Sequence, residues 1–194
     1  VHSERTPEYL RHTDKKLHGL QIWVALPKHL EQMDPSFFHA EADTLPSWEE
    51  DGVQYKLIAG EALGHQSPVP VYSPLFLLEI KSTDKKTVKI GSSLFGEAAM
   101  YILEGSVESD GNVYEPKQLL VANDASLCEF TIAANSTIYI FGGEPFTEER
   151  FIDWNFVSSS KELIAEAKQK WIEQKFEKIK GDEVDFVPYP SPKR

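Results

Sequence analysis

From residue 75 to residue 141 the chain alternates short apolar runs with turn residues, and this rhythm constrains its fold more than any other feature. The runs cover 75–80, 87–90, 97–103, 118–122, 127–133 and 137–141. They are divided by Asp84-Lys85, Asp110-Gly111-Asn112, Asn123-Asp124 and Asn135-Ser136. Short β-rich runs at near-regular spacing, broken by turn residues, predict an all-β sandwich or barrel. Asp110-Gly111 is the strongest hairpin signal, because glycine accepts the positive φ that tight hairpin turns require. Upstream, Val53, Tyr55, Leu57 and Ala59 alternate with Gln54, Lys56 and Ile58, the period of a half-buried strand over 53–59. Residues 20–26, LQIWVAL, are apolar and β-rich and end at Pro27, which predicts another strand. Between 60 and 74 two glycines and three prolines mark a connector, and Gly142-Gly143-Glu144-Pro145 closes the strand region.

The periodicity then changes. Leu163, Ile164, Ala167, Trp171, Ile172 and Phe176 recur at helical spacing, and Ser159 with Glu162 matches a capping box, so one amphipathic helix is expected near 161–178. Its apolar stripe reads as a face packed on the β region. From Gly181 onward Pro188, Pro190 and Pro192 predict an extended tail.

With 194 residues, 41% of them hydrophobic, the chain can build a core without a disulfide or structural metal. Its one cysteine, Cys128, precludes an internal disulfide and fits a reducing, cytoplasmic setting. No apolar stretch is long enough for a membrane helix, and VHSERTPEYL is not read as a signal peptide, because no apolar run follows a basic start. A net charge of −11 repels phosphate backbones and argues against direct nucleic-acid binding. Nucleophilic catalysis finds no Gly-x-Ser-x-Gly elbow, and no phosphate loop is present. Cys128, in the alternating run Leu127-Cys128-Glu129-Phe130, reads as an inert thiol.

All six histidines lie within residues 2–65, so an imidazole-ligated metal must draw on that part of the chain or on protein outside it. His2 and Glu4 are two apart. On extended backbone that spacing puts both side chains on one face, where imidazole and carboxylate suit a non-haem metal. The spacing alone is a weak signal, since it arises often by chance. His12, His29 and His39 sit in polar surroundings and read as surface residues; His18 reads as a bond to the loop backbone.

Several segments, in order along nearly the whole chain, resemble the pirin family. They are His2-Ser3-Glu4, His18-Gly19-Leu20-Gln21-Ile22-Trp23-Val24, Ala59-Gly60-Glu61-Ala62-Leu63-Gly64, and Gly142-Gly143-Glu144-Pro145-Phe146. A fifth, Phe156-Val157 ahead of a serine-capped helix, departs from the usual family motif in its first residues. The resemblance implies two cupin barrels. Residues 1–60 would be the C-terminal part of an N-terminal, metal-binding barrel; 61–155 a metal-free C-terminal barrel with an apolar interior; 156–194 a helix and extended tail. It further implies an iron site with three histidines and one glutamate. Of these, His2 and Glu4 would be ligands here, two histidines of a His-x-His motif would lie before residue 1, and Gln21 would contact the metal's surroundings or the substrate. Two functions follow: a quercetin 2,3-dioxygenase acting on a flavonol-like small molecule, or a metal-dependent regulatory module that binds a protein partner. The chain by itself is expected to be inactive. Strands 20–26 and 53–59 would lack sheet neighbours and leave Ile22, Trp23 and Val24 poorly covered, to be satisfied by self-association or by the missing N-terminal segment.

Overall fold

A computed structural model describes residues 2–90, 93–122 and 129–190. Two compact units result, one spanning Ser36–Phe146, the other built from the residues up to 35 and those from 147 onward.

The unit Ser36–Phe146 is the expected antiparallel β fold. Its first sheet contains β1 (Ser47–Glu50), β2 (Val53–Ala62), β3 (His65–Gln66), β4 (Leu75–Ser82), β6 (Glu97–Glu104), β9 (Leu119–Ala122) and β11 (Ser136–Gly143), in the order β1-β2-β4-β11-β6-β9 with β3 on β2. The second contains β5 (Lys86–Val88), β7 (Val107–Ser109), β8 (Asn112–Tyr114) and β10 (Phe130–Ile132), in the order β5-β10-β7-β8. Alternation decides what each strand buries. In β4 Phe76, Leu78, Ile80 and Ser82 point inward, while Leu75, Leu77, Glu79 and Lys81 stay partly exposed. Leu57, Leu78, Ile102 and Ile138 of the first sheet and Ile132 of the second are completely buried and belong to one core cluster. The core thus lies between the two sheets, as in a cupin barrel.

Most of the expected strands form, with small shifts at their ends. The Asp110-Gly111 turn joins β7 to β8 with φ of 51° and 75°, both left-handed, which is why glycine stands there. The Asn123-Asp124 turn and residues 127–128, including Cys128, lie outside the described residues.

Two expectations are overturned. Strand 53–59 does not lack neighbours: β2 pairs with β1 on one side and β4 on the other, running across residue 60 with a bulge between Leu57 and Ala59. The partner β1, of sequence SWEE, is too polar to announce itself as a strand. Residues 20–26 form no strand. A run rich in β-formers becomes a strand only when a neighbour accepts its ladder bonds, and none of the described strands pairs with it. As expected, Ile22, Trp23 and Val24 are uncovered, at 39%, 54% and 58% exposure.

The other unit holds short 3-10 turns at Glu8–Leu10 and Lys28–Leu30, the hairpin β12 (Phe151–Asp153) and β13 (Phe156–Ser158), and helix α1 (Lys161–Ile172). The helix is capped one residue later than expected. Ser160 Oγ accepts the Leu163 N–H at 3.3 Å, because Ser159 gives both its N–H and its hydroxyl to Glu31. It also ends earlier. Gln174 turns left-handed, with φ 54°, while the N–H groups of Gln174 and Lys175 close back onto Trp171 and Lys170. Phe176 therefore lies beyond the helix, where it stacks on Phe156 with ring centres 6.2 Å apart.

Candidate functional site

His2 and Glu4 lie in irregular backbone outside any strand, and both are exposed. The residues that alternate with them are held. Ser3 Oγ donates to Asp182, and Arg5 pairs with the same carboxylate and, at 2.9 Å, with Asp185. Gln21 is exposed in irregular backbone, and among the described residues its amide has no hydrogen-bonded partner. No three His, Cys, Asp or Glu side chains gather among the described residues. The chain's own donors, an imidazole and a carboxylate with no other bond among the described residues, suit a divalent iron in kind and supply part of a ligand set in number.

The remaining histidines divide as their neighbours dictate. His12, His18 and His29 are exposed, and His18 makes no bond to the loop backbone among the described residues. His39 Nε2 sits 3.1 Å from Glu41 Oε1 on the surface. His65 stacks on Trp48 with ring centres 4.0 Å apart, and Trp48 stacks in turn on Tyr55 at 5.3 Å. In the Ser36–Phe146 unit the inward residues of β6, Ala98, Met100 and Ile102, meet Ile138 and Ile140 of β11, so the interior is apolar, as the sequence predicted.

A densely connected carboxylate is one that sequence reasoning missed. Glu31 has 7% of its side chain exposed and accepts from the Ser158 hydroxyl at 2.8 Å, the Ser159 N–H at 2.8 Å and the Ser159 hydroxyl at 3.1 Å. Arg150 Nε stands 3.2 Å from its other side, and the same guanidinium donates to the carbonyls of Leu26, at 3.1 Å, and Glu148, at 3.0 Å. Burial pushes the Glu31 carboxyl up, but the three donors and the Arg150 charge outweigh that and hold it below the ordinary glutamate value. A hollow of about 230 Å³ borders the pair, lined by Val24, Ala25, Leu26, Asn155 and Val157 besides the two charges. The guanidinium spends its donors on the chain itself, so the cluster ties the segment before residue 32 to the β12–β13 hairpin. No local pattern signals it, since the partners lie 127 and 128 residues apart.

No helix among the described residues is long and apolar enough to cross a membrane. The model of the pirin C-terminal cupin domain matches residues 77–177. A pirin-like protein of Caulobacter vibrioides is 42% identical over 98% of this chain, which spans 65% of that protein. Human pirin is 26% identical over 80% of the chain, which covers 56% of its length. Among solved structures, a quercetin 2,3-dioxygenase from Acinetobacter baumannii superposes with a TM-score of 0.76 at 28% identity, over 88% of this chain and 57% of that one. The chain thus spans less than two-thirds of the length of these relatives. With the family's C-terminal cupin domain matched over half of its residues, and the antiparallel two-sheet fold that goes with it, the chain belongs to the pirin family.

Proposed function

We propose that this chain forms part of a pirin-type, iron-dependent dioxygenase that opens a flavonol such as quercetin. The observation that carries the proposal is the likeness to a quercetin 2,3-dioxygenase over 88% of the chain at a TM-score of 0.76. In this reading His2 and Glu4 are two of the metal's protein ligands, completed by histidines outside the 194 residues. The metal would supply Lewis acidity and one-electron chemistry toward the substrate and O₂. This chain's own contribution is positional. His2 offers a ring nitrogen and Glu4 a carboxylate from the same exposed segment, and Gln21 offers an uncharged amide to hold the substrate or a water. The apolar cupin unit acts as scaffold. The 194 residues alone are expected to leave quercetin unchanged, because two donors bind a divalent ion weakly.

The test is quercetin turnover by the full-length, iron-loaded protein. Ring opening that disappears in Gln21→Ala and His2→Ala supports the dioxygenase. A protein that binds iron through His2 yet leaves quercetin intact supports the metal-dependent regulatory module acting on a protein partner.

A further inference from the structure

We infer that the C-terminal tail, residues 181–189, is a clamp that fixes the segment bearing His2 and Glu4, with Asp182 and Asp185 as positioning residues. The clamp itself is a structural inference; its bearing on metal binding rests on the ligand roles proposed above.

The ends of most chains fray unless something ties them down. Here Asp182 takes the Ser3 hydroxyl and two nitrogens of the Arg5 guanidinium, with Arg5 Nε at 2.5 Å, and Asp185 takes the third guanidinium nitrogen at 2.9 Å. A fork of this kind fixes direction as well as distance, because the planar guanidinium meets the carboxylate in one orientation. The Asp182 side chain is only 16% exposed, so water competes little for it. Segment 2–5 is therefore held through Ser3 and Arg5, while His2 and Glu4 make no hydrogen bond or ion pair among the described residues.

The tail can hold the segment because it is itself anchored. A tight turn presents Asp182: its N–H donates to the Ile179 carbonyl at 2.9 Å, and Gly181 supplies a φ of 83°. Lys178 Nζ reaches the Glu183 carbonyl at 3.3 Å. Farther along, the Trp171 indole N–H donates to the Val187 carbonyl at 2.8 Å. Tyr189 gives its hydroxyl to Asp153 at 2.7 Å and packs against Trp154 at 5.5 Å, with Lys168 Nζ 4.5 Å above its ring. Helix α1 and the β12–β13 hairpin thus act through the tail on the metal-ligand segment. Sequence reasoning gave the tail no role, since Pro188, Pro190 and Pro192 read only as an extended end.

Backbone ¹⁵N relaxation of residues 3–6 tests the clamp without any metal. Asp182→Asn and Arg5→Asp should each lower the order parameters of these residues below about 0.6, the range of a flexible segment, and the charge-reversed pair Arg5→Asp with Asp182→Arg should restore them. Unchanged order parameters in the single variants, or no recovery in the double one, overturns the clamp. Far-UV circular dichroism matching the parent confirms that each variant has folded; Arg5→Lys, which keeps the charge and loses the fork, gives an intermediate value and serves as the milder probe. Iron(II) titration of the full-length protein tests the second step. Asp182→Asn should keep the iron stoichiometry and weaken the affinity roughly tenfold, as lost support of a ligand commonly does. Lower order parameters with unaltered affinity overturn the positioning role. His2→Ala is the separate control: full iron binding in that variant overturns the ligand assignment and leaves the clamp standing on the relaxation data.

Discussion

Removing the Glu31 carboxylate in two ways separates its charge from its bonds. In Glu31→Gln the side chain keeps its shape. The amide oxygen can stay where Oε1 accepts from the Ser159 N–H, and the Ser158 and Ser159 hydroxyls can turn to accept from the new amide group. What disappears is the charge 3.2 Å from Arg150 Nε, so the cost should be about 1.5 kcal/mol, near the low end for a hydrogen bond to a charged group. In Glu31→Ala the Ser159 N–H loses its acceptor and the Arg150 guanidinium, 13% exposed, loses its counter-charge. Stripping one partner from a buried ion pair costs about 3–5 kcal/mol, so about 4 is expected. Equilibrium urea unfolding followed by tryptophan fluorescence measures both, since Trp154 and Trp171 stand in the same unit. The pH dependence gives a second reading. Because the folded carboxyl titrates below its unfolded value near 4.3, the native protein binds fewer protons there, and the Glu31 contribution is complete above that value. It is lost as pH falls through the folded pKa, so the gap between parent and Glu31→Gln should narrow from about pH 5 downward. Equal costs for the two variants, or less than about 1 kcal/mol for Glu31→Ala, would show that the pair behaves like a screened surface ion pair and refute the reasoning.

Gly60→Ala should destabilise by roughly 3 kcal/mol in the same unfolding assay: Gly60 has φ of 74°, and a Cβ there would stand 1.8 Å from the Leu75 carbonyl oxygen. A tolerated alanine would mean that the bulged end of β2 is looser than the register implies. Tyr139 should be the last tyrosine to ionise in an alkaline absorbance titration, because burial, then its 2.6 Å bond to Glu79, hold the phenol above its ordinary pKa; Tyr139→Phe should leave the early part of that titration untouched. In the full-length protein His2→Ala should lower iron content sharply by elemental analysis, and unchanged stoichiometry would remove His2 from the ligand set.

What could be read from the sequence was what local pattern encodes. Alternation marked β2, β4, β6 and β11, whose inward residues are almost all buried, and a helical stripe marked α1. Strands such as Asn112–Tyr114 and Phe151–Asp153 are three residues long, and pairing, not composition, makes them strands. Residues 20–26 fail for the converse reason: the propensity is present and the neighbour is not. The candidate site was legible only as a two-residue motif plus a family resemblance. Glu31 and Asp182 were out of reach, because each acquires its role from a partner at the far end of the chain.

The unit that carries His2 and Glu4 is assembled from both ends of the sequence, with 36–146 standing between them as a unit of its own. On the ribosome this imposes an order. In 36–146 the central strand β11 pairs with β4 and β6, both made well before it, so that sheet completes only when residue 143 is out; the segment around Glu31 then waits for the residues from 147 onward, which hold its partners. During that interval Glu31 lacks the three donors and the guanidinium that enclose it in the finished fold. A premature stop before residue 147 would remove Arg150, Ser158 and Ser159 together, and with them the bonds that fix the segment around Glu31, so degradation is the fate that an unfixed segment invites.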